Sequence, residues 1–99
     1  MKLTELSPRW LSKDVLMFRS PSGAGNWITC NRVAMTRHDQ CKVVWEDNPD
    51  LKDQVIVLTK PDMAWTFSGD DLETLSITPS IDASASGNWH GFITNGEIK

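Results

Sequence analysis

The sequence predicts a mainly β fold: a small antiparallel sheet, barrel-like or sandwiched, with little helix and a C-terminal β-hairpin. Three observations carry that expectation. Short runs rich in β-branched and aromatic residues recur along the chain, and Pro- and Gly-bearing segments separate them. No window keeps the apolar i, i+3, i+4, i+7 stripe of an amphipathic helix.

In chain order, a single helical turn is expected near Leu3–Leu6, followed by strands at Val15-Leu16-Met17-Phe18 and Trp27-Ile28-Thr29-Cys30. Lys42-Val43-Val44-Trp45 and Gln54-Val55-Ile56-Val57-Leu58-Thr59 read as two further strands on the same composition. Ser20–Gly25, Asp47–Asp50 and Lys60-Pro61-Asp62 are turns and loops, since their Pro and Gly fix or free backbone dihedrals in ways that end regular structure. Short helical pieces are expected near Asn48–Lys52 and at Asp70–Thr74. At the C-terminus Trp89–Thr94 precedes Asn95-Gly96 and then Glu97-Ile98-Lys99. Asn-Gly readily supplies the two positive φ angles of a type I′ turn, so a tight terminal hairpin is predicted there.

A chain of 99 residues fits one domain, 1–99, with no repeat, low-complexity tract or linker dividing it. Its 39% apolar content and five Trp supply enough buriable surface to order the backbone, and in a small β domain such Trp residues fill the core. The net charge of -3 provides no basic field for a phosphate backbone, which argues against nucleic acid as a partner. The opening MKLTELSPRWLSKDVLMF carries a charge or Pro every few residues, unlike a secretory signal or membrane span. A cytoplasmic location without membrane contact is therefore expected, and in that reducing setting Cys30 and Cys41 read as free, half-buried thiols. Oligomeric state is not legible.

Chemistry is concentrated near the C-terminus. From Leu75 to Ser86 the chain alternates with a period of two: Ser76, Thr78, Ser80, Asp82, Ser84 and Ser86 on one side, Leu75, Ile77, Pro79, Ile81, Ala83 and Ala85 on the other. Taken alone, this is a half-buried strand with solvent-facing hydroxyls. His90 changes its meaning, because eleven consecutive residues now supply a hydroxyl, a carboxylate and an imidazole. A serine hydroxyl becomes a nucleophile when imidazole takes its proton, and a carboxylate on the far ring nitrogen fixes the tautomer. Ser80 or Ser84, with His90 and Asp82, can fill these roles. Extended chain would separate Ser80 from His90 by roughly 33 Å, so a reversal is required, and Ser86-Gly87-Asn88 can provide it. The competing reading makes His90 a structural histidine bonded to a backbone carbonyl.

Other candidates are weaker. His38, read as lying in a polar stretch between two strands, could join Cys30 and Cys41 in a zinc site, but the spacings match no common finger or ribbon and a surface histidine is expected. Asp47–Asp53 and Asp70-Asp71 lack the register and turn glycine of a calcium loop.

The string from Pro79-Ser80-Ile81 through His90-Gly91-Phe92 to Asn95-Gly96-Glu97-Ile98 resembles the signature of a family of small phage and bacterial proteins known as a domain of unknown function. Its members run Pro-Ser-Ile, about eight residues, His-aromatic or His-Gly-aromatic, a short strand and Asn-Gly or Asp-Gly. The similarity extends to the opening Leu6–Phe18 and to Ser20–Gly25. Members encoded beside bacterial ubiquitin-like conjugation genes are read as serine peptidases that trim the modifier or release it from targets. The resemblance thus implies a compact β-rich domain, Ser80 and His90 as matching positions, and a ubiquitin-like protein or its conjugates as partner. Many relatives carry Cys-Pro-Cys-Gly-Cys-Gly where this chain has Ser20-Pro21-Ser22-Gly23-Ala24-Gly25. Ser and Ala do not replace thiolates toward a soft metal, so no metal or other cofactor is expected here.

These readings converge on a serine-dependent hydrolase of peptidase or deconjugase type. Its catalytic group would be Ser80, His90 and Asp82, with Ser84 as alternative nucleophile and backbone N–H groups of Ser86, Gly87 and Asn88 as oxyanion donors. The alternatives are a non-catalytic, phage-encoded module that binds a host protein through a Trp-bearing surface in the host cytoplasm, and a structural phage component.

Overall fold

The structure, a computed structural model, describes residues 1–23, 27–52, 59–60, 62–83 and 89–99. Outside them lie most of the strand expected at Gln54–Thr59, parts of the loops expected at Ser20–Gly25 and Lys60-Pro61-Asp62, and Ser84, Ser86, Gly87 and Asn88.

Alternation along Val15-Leu16-Met17-Phe18 sends side chains to two opposite faces, and both faces find cover. The run forms β2 (Val15–Arg19), the middle of a three-stranded antiparallel sheet between β1 (Arg9–Ser12) and β3 (Trp27–Asn31). Leu16 and Phe18 enter the main core with Ile28 and Cys30 of β3. Val15 and Met17 point the other way, into a smaller cluster with Leu11, Val44 and Leu51. Burial pushes the Cys30 thiol pKa up, because the thiolate would lose its hydration in this core.

The residues that cover the second face overturn one expectation. Lys42-Val43-Val44-Trp45 is not a strand; it lies within α1 (Arg37–Asp47). Thr36 caps that helix, its Oγ1 accepting the Asp39 N–H at 3.1 Å. Gln40, Cys41 and Val44 form its buried side. The stripe was hidden because a glutamine occupies one of its positions, and packing of Val44 on Leu11 and Val15 outweighs local β propensity. His38 accordingly sits exposed on a helix, not between two strands.

The second sheet has the order β4 (Thr66–Ser68), β5 (Ser76–Asp82), β6 (His90–Thr94), β7 (Glu97–Ile98), all antiparallel. Its Ile77, Ile81 and Ile93 pack with Leu75 and Ala83 against Leu16, Phe18, Ile28 and Cys30, so the two sheets enclose one core. The β6–β7 hairpin turns at Asn95 (φ 50) and Gly96 (φ 75), as the Asn-Gly pair predicts. A Cβ on Gly96 would lie 2.0 Å from the Glu73 carbonyl oxygen, so glycine is required there for space as well as for φ. The N-terminus closes the β7 edge: Ile98 donates to the Met1 carbonyl and Leu3 to that of Gly96, both at 2.8 Å. Leu3–Leu6 forms the expected helical turn, of 3₁₀ type, and buries Leu3 and Leu6; Pro49–Leu51 is a second such turn.

Asp70–Thr74 departs from the helix expected there. Asp71 Oδ1 accepts the N–H groups of Glu73 and Thr74, both at 3.0 Å, and the Thr74 hydroxyl at 3.1 Å, which holds the segment as a side-chain-closed turn. Seven strands and one α-helix among the described residues make the fold mainly β, in agreement with the sequence.

Candidate functional site

Strand β5 is longer than its partner requires. Ile77 pairs with Ile93 and Ile81 with Gly91, so Thr78-Pro79-Ser80 lies opposite the single residue Phe92. Leu75, Ile77, Ile81 and Ala83 are buried as the alternation predicts, but Pro79 is exposed. The surplus length lifts it off the apolar side, which corrects its assignment to that face.

Past this irregularity the ladder resumes at Ile81 and Gly91, and the next pair sets Asp82 directly across from His90. Residues paired in this way project to the same side of a sheet, and Ser80, two residues before Asp82, shares that side. The outcome is a contact between Ser80 Oγ and His90 Nε2 at 3.4 Å. This lies at the long end for a hydrogen bond. The required chain reversal is complete by Trp89, whose carbonyl accepts the Ala83 N–H at 2.7 Å.

The site is open. His90 is exposed and Ser80 and Asp82 are half-buried. A depression of about 520 Å³ lined by Thr4, Trp10, Asp71, Leu72 and Glu73 contains none of these three residues. On the Asp82 side, Lys60 Nζ stands 3.9 Å from Oδ2, with both side chains about 40% exposed. An ion pair this accessible contributes little stability but places a positive charge beside the carboxylate.

Sequence reasoning missed Lys60 and set Trp89 and Phe92 beside His90 only in the reading that made it a structural histidine, so three neighbours had no part in the expected site. Lys60 arrives from a distant loop, and no local spacing announces it. Trp89 lies so close over Gly91 that a Cβ there would meet the indole at 2.5 Å, and its ring meets Phe18 edge-on at 6.4 Å. The glycine between His90 and Phe92 was a usable signal, since a strand glycine marks a close approach. Phe92, 49% exposed, is the third. Ser84 and the Ser86–Asn88 backbone lie outside the described residues. Among the described residues no group of three His, Cys, Asp or Glu side chains is placed to hold a metal; Cys30 is buried in the main core and His38 is exposed on α1. Among them, too, no helix is long and apolar enough to cross a membrane.

No curated protein and no solved structure matches the chain significantly. The family model described as bacterial ubiquitination-like system serine protease (BubE) matches residues 31–99, a span that takes in the whole second sheet with Ser80, Asp82 and His90, and the chain belongs to that family.

Proposed function

We propose that the protein is a serine-dependent hydrolase that cleaves a peptide, isopeptide or ester bond at the tail of a ubiquitin-like protein. The observation that carries this reading is the 3.4 Å approach of Ser80 Oγ to His90 Nε2 on an open sheet face. It is supported by membership in a family described as serine proteases of ubiquitination-like systems. In this mechanism Nε2 takes the Ser80 proton as Oγ bonds to the scissile carbonyl carbon. The tetrahedral intermediate then expels the amine or alcohol, to which His90 returns the proton. Water, deprotonated by the same nitrogen, attacks the acyl-serine and regenerates the hydroxyl. Asp82, across the ladder from His90, stabilises the imidazolium, and N–H groups of Ser86, Gly87 and Asn88 receive the oxyanion.

The test uses a ubiquitin-like modifier fused through its C-terminal tail to a reporter. Ser80→Ala and His90→Ala should each lower turnover by at least about 10³-fold, and the double variant should be little worse than either, because groups that act as a unit are non-additive. Turnover retained in Ser80→Ala would move the nucleophile to Ser84. A wild-type protein that cleaves no modifier fusion would overturn the hydrolase reading and favour the interaction module, whose basis is the exposure of Trp10 and Trp27. Each of those rings carries an arginine, Arg32 at 5.0 Å and Arg19 at 4.6 Å, so both indoles already have a partner within the chain.

A further inference from the structure

An exposed phenylalanine is not by itself informative, since single apolar side chains are common on protein surfaces. The placement of Phe92 gives it meaning. On β6 the burial alternates without exception: His90, Phe92 and Thr94 face outward, and Gly91 and Ile93 face the core. Phe92 therefore sits one two-residue step, about 6.8 Å, from His90 along the same face. Across the ladder it meets Thr78-Pro79-Ser80, whose surplus length brings exposed Pro79 to the outer side beside the candidate nucleophile. An aromatic ring and a proline thus border the Ser80–His90 pair, on a face whose other residues are polar: Ser76, Thr78, Thr94 and Asp82, with Thr66, Ser68 and Glu97 paired beside them.

An extended peptide repeats its same-side residues at the same two-residue step. If it lies along β6 with its scissile carbonyl held between Ser80 Oγ and His90, the side chain one two-residue step beyond the one over His90 falls over the Phe92 ring. We infer that Phe92, with Pro79, is the substrate-binding strip of this site and takes an apolar side chain two residues from the scissile bond of an extended tail. The inference rests on the hydrolase reading and adds to it the conformation and side-chain class of the substrate.

The experiment pairs cleavage of the modifier–reporter fusion with labelling of Ser80 by a small fluorophosphonate, which needs the nucleophile but not the strip. Phe92→Ser is expected to lower kcat/KM roughly ten- to hundredfold, mainly through KM. Its labelling rate should stay within about twofold of wild type, and Phe92→Leu should recover most of the cleavage. Fusions carrying Leu or Asp two residues from the scissile bond, on either side in separate fusions, should differ on wild type and converge on Phe92→Ser. The inference is overturned if Phe92→Ser cleaves like wild type, or if labelling and cleavage fall together. Wild type that neither labels nor cleaves is a different result: it removes the hydrolase reading and this inference with it.

Discussion

The two sheets are built from similar residues and differ in what covers them. In β3 four consecutive residues, Ile28 to Asn31, are buried, because the second sheet lies on one face and further chain lies on the other. In β6 burial alternates residue by residue, because only the inner face is covered. This decides the fate of polar groups. In the covered sheet they must be paired internally: Thr29 and Thr59 exchange N–H to hydroxyl bonds at 3.0 and 2.9 Å, and Asn31 Nδ2 donates to the carbonyls of Val33 and Met63. In the open sheet Ser80 and His90 need satisfy only each other and water. The first sheet can thus serve as scaffold, while the second has a face on which a hydroxyl and an imidazole can meet a substrate.

The sharpest way to break this contrast is to remove what both sheets share. Phe18 is completely buried between them and meets Trp89, the residue before His90, edge-on. Phe18→Ala should cost about 3–5 kcal/mol of stability in urea unfolding. If the loss were below about 1 kcal/mol, the sheets would not depend on a common core. A smaller effect is expected within the covered sheet. Thr29→Val keeps the shape but leaves the Thr59 N–H without its acceptor, a loss of about 1–3 kcal/mol by the same measurement. An unchanged midpoint would mean that water reaches this seam and that β3 is not covered on its second face.

Legibility followed the same division. Strands with one covered face announce themselves: the alternation read from Leu75 onward and the Asn95-Gly96 turn made β5 and the terminal hairpin legible, whereas the pairing of β5 with β6 that sets Asp82 across from His90 was not. Val15–Phe18 and Trp27–Cys30 were legible as runs of strand-forming residues, although not which neighbour each face would meet. The helix was misread because its buried side consists of Gln40, Cys41 and Val44, too polar to stand out, while Val43-Val44-Trp45 imitates a strand. The Thr36 cap with Asp39 three residues on was the signal available for it. Pro79 was assigned to the wrong face because a surplus in one strand becomes visible only against its partner's register. Lys60 reaches Asp82 through tertiary structure alone.

The smallest expected effect is also the most discriminating. Ser80 and Thr29 are both strand hydroxyl residues, one in each sheet, and their removal should differ in kind. Ser80 is half-buried and its Oγ contact to His90, at 3.4 Å, is long, while exposed His90 retains access to water when the serine is lost. No buried donor or acceptor is stranded, so Ser80→Ala should shift stability by no more than about 0.5 kcal/mol, as for surface substitutions in general. A hydroxyl held for structure would cost about 1 kcal/mol or more. Read beside the cleavage assay, the melting temperature then separates two roles for the same atom. A serine kept for reaction gives an inactive protein that melts like wild type. Loss of stability in Ser80→Ala comparable to that in Thr29→Val would make Ser80 part of the scaffold and erase the distinction between the two sheets.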